Sequence, residues 1–293
     1  MDIRVLKYFL AVAREQSFSV AAERLYLSQP TLSRQLRELE EELGKPLLVR
    51  SSKGVSLTEE GMILRARAEE IVELMDKAEK EVKQSGEEIK GMIYIGAGET
   101  YAVKLIADTA EHLSAEHPGL QYSLYSADGS DVLEKLDKGL LDFGIVFQSV
   151  DTSKYNSIEL PLKDRFGVLV RSDSPLAKKR TVSLSDLKGQ PLIIPRQPNH
   201  NSMFLESIGI DEQTVRVAAQ YNLVYNGSVM VKEGMGCCIC IDRIINVTGD
   251  SNMCFLPFSP PIEVGCSFIW KRSAVFSKAA ERFLEQFIRD INE

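Results

Sequence analysis

The sequence predicts an α/β chain with a small helical head, on three observations. Residues 17–43 hold two short amphipathic helices around a tight turn, followed by a pair of β-prone runs. Residues 58–84 carry one narrow apolar stripe on a charged background. From Gly91 onward short apolar strands alternate with helices, the βαβ texture of an open, largely parallel sheet. The expected architecture is an N-terminal winged helix-turn-helix, a long linker helix and an α/β module of two subdomains.

In the head, Ile3, Leu6, Leu10 and Ala13 predict a first short helix. Ser19 or a near neighbour is expected to cap a second helix carrying Ala22 and Leu25. Ser28 caps a third, whose first turn holds Pro30, where the missing N–H costs nothing. Leu32, Leu36, Leu39 and Leu43 then step by four, three and four into one apolar stripe. At about 100° per residue, Pro30, Arg34 and Arg37 point away from that stripe, with Gln29, Thr31 and Ser33 beside them near the helix start. These six are candidate DNA-contacting residues, because a helix seated in the major groove brings its N-terminal side chains to base edges. Leu47–Arg50 and Val55–Leu57 read as a wing, on which Arg50 and Lys53 are placed to meet phosphates. An amphipathic helical hairpin with Ser caps and no DNA partner shows the same core pattern; the flanking helix and wing favour the DNA-reading head.

Charge supports this division. Residues 1–58 hold nine Lys and Arg against seven Asp and Glu, so the head carries +2 and the rest of a chain of net charge −7 carries −9. A weakly basic head on an acidic body does not coat nucleic acid. With no run of about 18 apolar residues and no apolar stretch behind a basic N-terminus, the reading expects neither a membrane span nor a secretory signal, and a cytoplasmic protein.

The five cysteines, Cys237, Cys238, Cys240, Cys254 and Cys266, read as reduced buried thiols. In a strand Cys238 and Cys240 share a face while Cys237 points away, and no His lies nearby, so no metal site is expected. His112 and His117, five apart on one helix, do not share a face, and His200 stands alone in a polar loop.

From Thr58 a long polar helix carries Leu64, Ala68, Ile71, Met75, Ala78 and Val82, spaced four, three, four, three, four, and ends at Ser85-Gly86. That 3.5-residue repeat is the signature of a helix pair, and these six are the candidate dimerisation residues. A packed surface helix of a monomer gives the same stripe. Self-association would set two heads side by side and call for a double-stranded operator with dyad symmetry, its half-sites about one helical turn or a multiple apart.

Beyond the linker, strands are predicted near 93–97, 121–125, 143–147, 167–170, 192–194, 215–219, 236–241 and 254–256, and helices near 100–117, 131–138 and 277–291. Crossings between the two halves are expected near 160–166 and 264–269.

The stretch Leu6 to Gly61, with Tyr8-Phe9, Ser17-Phe18, Ala21-Ala22, Ser28-Gln29-Pro30, Leu32-Ser33, Leu39-Glu40, Leu43-Gly44, Arg50 and Leu57-Thr58-Glu59-Glu60-Gly61, closely resembles the head of the LysR-type transcriptional regulators. The resemblance implies a DNA-binding domain over 1–58, a linker and dimerisation helix over 59–88, and a periplasmic-binding-protein-like (type 2) effector domain over 89–293. Within the last, subdomain I spans 89–163 and 267–293, and subdomain II spans 164–266. It further implies a small-molecule effector as co-inducer and no other cofactor, a dimer assembling to a tetramer through the effector modules, and RNA polymerase as a partner.

In such a module ligands sit between the halves, at the carboxyl ends of strands and the N-termini of helices. The matching places are Gly98-Glu99-Thr100, Asp128-Gly129-Ser130, the loop 195–202 and Asn226-Gly227-Ser228, and the candidate effector residues within them are Glu99, Thr100, Gly129, Ser130, Arg196, Ser202 and Asn226. Thr100 falls where the family commonly has a hydroxyl residue. Glu99 departs from the pattern, because a carboxylate at that mouth repels an anionic effector unless Arg196 or another cation offsets it, so the charge of the effector stays open. Taken singly each is also a cap or turn residue; as a set they border a cleft. Gly96-Ala97-Gly98 lacks the full G-x-G-x-x-G of a dinucleotide loop. The expected function is a ligand-responsive transcription regulator, not an enzyme. Two alternatives stay open: an α/β enzyme with an autoregulatory DNA-binding head, against which no Ser/His/Asp, metal or phosphate-loop constellation is found, and a constitutive DNA-binding module with a vestigial cleft.

Overall fold

Three helices and a hairpin form the head of the first unit, Met1–Gln84. They are α1 (Ile3–Glu15), α2 (Phe18–Arg24), α3 (Gln29–Leu43), β1 (Leu48–Ser51) and β2 (Gly54–Leu57), followed by the long α4 (Glu59–Lys83). The structure is a computed structural model that describes the chain except residues 52–53, 84–87, 148, 197–204, 207, 211–214 and 293. The wing residue Lys53, the linker end Ser85-Gly86, the loop residue His200 and the cleft candidate Ser202 lie outside the described residues.

Each helix of the head begins on a side chain that satisfies one of its orphan N–H groups. Asp2 accepts from Arg4 N, Ser17 from Val20 N and Ser28 from Thr31 N. The α2 cap is Ser17, a near neighbour of Ser19, which itself lies inside the helix. Phe9, Val12, Phe18, Ala21, Ala22, Leu32, Leu36, Leu39, Leu47 and Leu48 make one core. The buried face of α1 is thus centred on Phe9 and Val12 rather than on the expected Ile3-Leu6-Leu10-Ala13 line, of which only Leu6 is buried. Leu43 also departs from expectation: it is 41% exposed, because α3 ends at Gly44, whose φ of +66° turns the chain away before the last turn meets the core.

The hairpin pairs Leu48 with Leu57 and Ser51 with Gly54 in antiparallel register. Glu40 holds its base, accepting from the N–H groups of Leu47 (2.7 Å) and Leu48 (3.0 Å). Thr58 starts α4, accepting from Gly61 N at 2.9 Å and donating to Pro46 O at 2.7 Å. Gly61 is needed there, since a Cβ would sit 2.1 Å from Leu47 O.

The second unit, Ser85–Glu293, is threaded by a sheet that among the described residues has nine strands, in the order β4-β3-β5-β11-β6-β9-β7-β8, with β10 also on β6. One lobe holds β3 (Gly91–Ala97), α5 (Val103–Glu116), β4 (Leu120–Ser126), α6 (Gly129–Asp137), β5 (Phe143–Val146) and the final α8 (Lys278–Asp290). The other holds β7 (Pro191–Pro195), β8 (Arg216–Tyr221), α7 (Val224–Lys232), β9 (Cys237–Ile241) and β10 (Met253–Pro257). Two long strands serve both lobes: β6 (Tyr155–Arg171) and β11 (Glu263–Lys271). They pair antiparallel with each other, with a register break between Gly265 and Ser267. The proposed subdomain boundary at 163/164 falls inside β6.

Each lobe has its own core. In the first, Phe143, Phe268, Phe283 and Phe287 cluster with Ile93, Ile95 and Ile145, and the Phe268 and Phe287 rings stand 4.2 Å apart. In the second, Val168, Leu192, Ile194 and Ile239 fill one face of the sheet, and Leu169, Ile193, Val231, Cys238 and Cys240 the other. Cys237 belongs to the first of these faces, as alternation along β9 requires. Asn226, Gly227 and Ser228, expected as cap or turn residues bordering the cleft, lie inside α7.

Candidate nucleic-acid interface and effector cavity

On α3, Gln29, Pro30, Thr31, Arg34 and Arg37 are exposed while Leu32, Leu36 and Leu39 are buried, so the polar face stands clear of the core. Thr31 shares a 2.7 Å hydrogen bond with the capping hydroxyl of Ser28. Arg34 pairs with Glu38 at 2.9 Å, an exposed contact one turn along the same helix and worth a few tenths of a kcal/mol at most. Ser33 is half-buried and accepts from Arg50 Nη1 at 3.1 Å. The Arg50 guanidinium also lies 4.5 Å from the centre of the Phe18 ring. Arg50 therefore braces the wing against α3 and α2, beyond its expected role as a phosphate contact. Sequence reasoning passed over Tyr26, which is 97% exposed in the turn before α3 at a φ of +55°. Its place in the tight turn between the two helices was the only sequence signal; the left-handed conformation is seen in the structure alone.

Along α4 the candidate dimerisation stripe divides in two. Leu64 packs on the head core and Ala68 is fully buried, so both are used within this unit. Ile71 (42%), Met75 (47%), Ala78 and Val82 (73%) are exposed.

Between the lobes of the second unit lies a cavity of about 330 Å³. Its wall combines apolar side chains, among them Ile145, Val146, Phe147, Phe166, Val264 and Ile241, with Glu99, Asp128, Gly129, Arg196 and Asn222. Of the candidate effector residues, Glu99, Gly129 and Arg196 meet here. Asn226 is absent from this wall and lines an adjoining, more open depression with Gln220 and Met230, which shares Arg196, Tyr221 and Asn222 with the cavity. Ser130 is absent from this wall, and its hydroxyl donates to Asp128 Oδ1 at 2.9 Å.

Thr100 is not at the cavity either. It is buried, its hydroxyl donates to Asp164 Oδ2 at 2.5 Å, and it accepts from Ala102 N at 3.1 Å. Asp164 sits on β6 where the lobes join and is also paired with Arg243 at 3.3 Å. Arg243 bridges on to Asp242, which Arg165 holds from the other side at 3.1 Å. Burial pushes the Asp164 carboxyl above its ordinary range, and the Thr100 hydroxyl, Arg243 and the Tyr101 N–H pull it partly back.

Glu99 reaches across the cleft. Its Oε2 accepts from the N–H of Val224, the first residue of α7, whose cap position holds Leu223 with no side chain able to do so. Burial raises the Glu99 pKa, and the N–H groups of Val224 and Tyr225 oppose that rise. Asp128 does the same for α6, accepting from Ser130 N and Asp131 N at 3.1 Å. The sequence placed Asp128 at the cleft, and the cavity wall includes it; Phe147, Phe166, Tyr221 and Asn222 were missed as wall residues. Position at or just beyond a strand end was the signal for Phe147, Tyr221 and Asn222.

Among the described residues no helix is long and apolar enough to cross a membrane. Residues 3–62 match the bacterial regulatory helix-turn-helix protein, lysR family, and residues 86–291 match the LysR substrate binding domain. The chain is 31% identical to the hydrogen peroxide-inducible genes activator of Pectobacterium carotovorum subsp. carotovorum, over 89% of this chain and 87% of that protein. It is 28% identical to the HTH-type transcriptional regulator BsdA of Bacillus subtilis (strain 168), over 98% of this chain and all of that one. In fold it is similar to full-length CbnR crystallised with its target DNA, with a TM-score of 0.76, 20% identity and coverage of 99% and 100% of the two chains. With a helix-turn-helix whose polar face stands free and an effector-binding domain closed around a cavity, the chain belongs to the LysR family of DNA-binding transcription regulators, not to a family of enzymes.

Proposed function

We propose that the chain reads a two-fold operator through α3 of paired heads and that a small molecule in the inter-lobe cavity controls its effect on transcription. The observation that carries this reading is the pairing of a solvent-facing recognition helix with a cavity of about 330 Å³ in the other unit, a volume within the range of ligand pockets, about 300–1,000 Å³. A ligand that prefers one closure of the lobes shifts the balance of assembled states, and with it the spacing of the heads, DNA bending and access of RNA polymerase. Gln29, Pro30, Thr31, Arg34 and Arg37 carry the DNA contacts. Ile71, Met75, Ala78 and Val82 carry the helix pair, with a tetramer built through the effector modules.

The name of the Pectobacterium relative refers to hydrogen peroxide. In this chain all five cysteines are free, and Cys237, Cys238, Cys240 and Cys266 are buried. Burial pushes the Cys237, Cys254 and Cys266 thiols up. Thiolate is the form that reacts with peroxide, so the chemistry favours reversible ligand binding over thiol oxidation as the signal.

Selection of duplexes from a random-sequence pool by the full chain tests the DNA half of this function. Enriched sequences should carry two inverted half-sites with centres about 10 base pairs, or a multiple, apart. Enrichment of unpaired half-sites, or none, contradicts it.

A further inference from the structure

We infer that the cavity selects a compact, mainly apolar effector with a cationic nitrogen head, and that Glu99 sets this preference. The inference rests on the cavity being the effector site, and it concerns which chemistry that site accepts.

Helix N-termini at a cleft ordinarily welcome anions, because their free N–H groups and positive dipole ends point into it. Two helices start at this wall, α6 at Gly129 and α7 at Val224. Both starts are already filled by the chain's own carboxylates. Asp128 takes the N–H groups of Ser130 and Asp131, and Glu99, from the opposite lobe, takes those of Val224 and Tyr225. An incoming carboxylate finds those donors occupied and two like charges beside them.

The cation available to it is weak. Among the described lining residues Arg196 is the sole one; its side chain is 57% exposed and its Nη2 lies 3.9 Å from Asp128 Oδ2. Among the described residues the wall thus presents two carboxylates to one partly solvated guanidinium. The acidity of Glu99 points the same way, since burial raises its pKa and no cationic side chain is among the causes that bring it back. Phe147, Phe166 and Tyr221 line the same space, and aromatic faces attract an ammonium group. An amine head between Glu99 and these rings, with its apolar body against the aliphatic wall, satisfies every group that a carboxylate would offend.

The test is calorimetric titration of the full chain at neutral pH with phenethylamine and with phenylacetate, which share a ring and a two-carbon arm and differ in the charge of the head. The parent should bind the amine more tightly by about tenfold, and Glu99→Gln should reduce that ratio to about threefold or less. A preference of the parent for phenylacetate, or an unchanged ratio in a folded Glu99→Gln, overturns the charge assignment while leaving the cavity as the effector site. Absence of binding of both probes up to about 10 mM, tenfold weaker than a millimolar Kd, overturns both. The comparison in the parent protein stands even if the variant fails to fold.

Discussion

Thr100 and Asp164 form a buried 2.5 Å hydrogen bond that ties the turn before α5 to the strand shared by both lobes. The hydroxyl that the family resemblance assigns to effector contact thus points into the lobe junction. Thr100→Val leaves a buried carboxylate short of one donor, which costs about 1–3 kcal/mol. Urea denaturation should show that loss. A variant of parental stability that has lost its effector response would return Thr100 to the ligand.

Glu99 makes stability depend on pH with a defined sign. Its carboxyl has an ordinary value of 4.5 and is raised in the folded chain, chiefly by burial. Between those two values the folded state binds more protons than the unfolded one. The stability linked to this group is therefore fully present below 4.5 and is lost as pH rises through the folded value. Glu99→Gln does not titrate, so its melting temperature relative to the parent's should rise between about pH 4 and about pH 7. Melts across that range check it; a difference that stays flat or falls contradicts the burial argument.

The head was legible because its signals are local. Ser28, Pro30, Leu32, Leu36 and Leu39 cap, start and face α3 within fifteen residues of one another, and no distant contact alters them. The phase of α1 was harder: over thirteen residues its apolar positions allow more than one face, and packing against Phe18 and Leu32 selects the one with Phe9 and Val12. Helix α7 was invisible because Leu223 is no cap and Asn226-Gly227-Ser228 reads as a turn; its cap is Glu99, 125 residues earlier. The orientation of Thr100 likewise depends on Asp164, 64 residues away. Local periodicity carries neither relationship.

The exposed half of the α4 stripe is the proposed helix-pair seam. Replacing Ile71 and Met75 together by Lys puts unpaired like charges into that contact, where desolvation is costly. Light scattering should show dissociation at concentrations where the parent is paired, with affinity down by about 100-fold or more, roughly 2.7 kcal/mol. A double variant that stays paired moves the interface off this face.

The thiols should be slow. Burial pushes the Cys266 thiol up to about 11, with the Asp164 charge adding to it, and Cys238 is raised by its hydrogen bond with Cys240 and by burial. The native chain should react with a disulfide reagent about tenfold or more slowly than free cysteine, whose pKa is about 8.5, and at the normal rate once unfolded. A single fast native thiol would reopen an oxidative signal.

The solvent-facing side of α3 is proposed to read DNA. Arg37 is exposed, and Arg34 gives up only a surface pair with Glu38 to reach a base. Fluorescence anisotropy with the enriched operator duplex, at one fixed salt concentration, measures this directly. Arg34→Ala and Arg37→Ala should each leave the fold intact, and at least one should weaken operator binding by about 1–3 kcal/mol, the worth of a good bidentate base contact. Parental affinity in both variants would remove α3 as the reading helix.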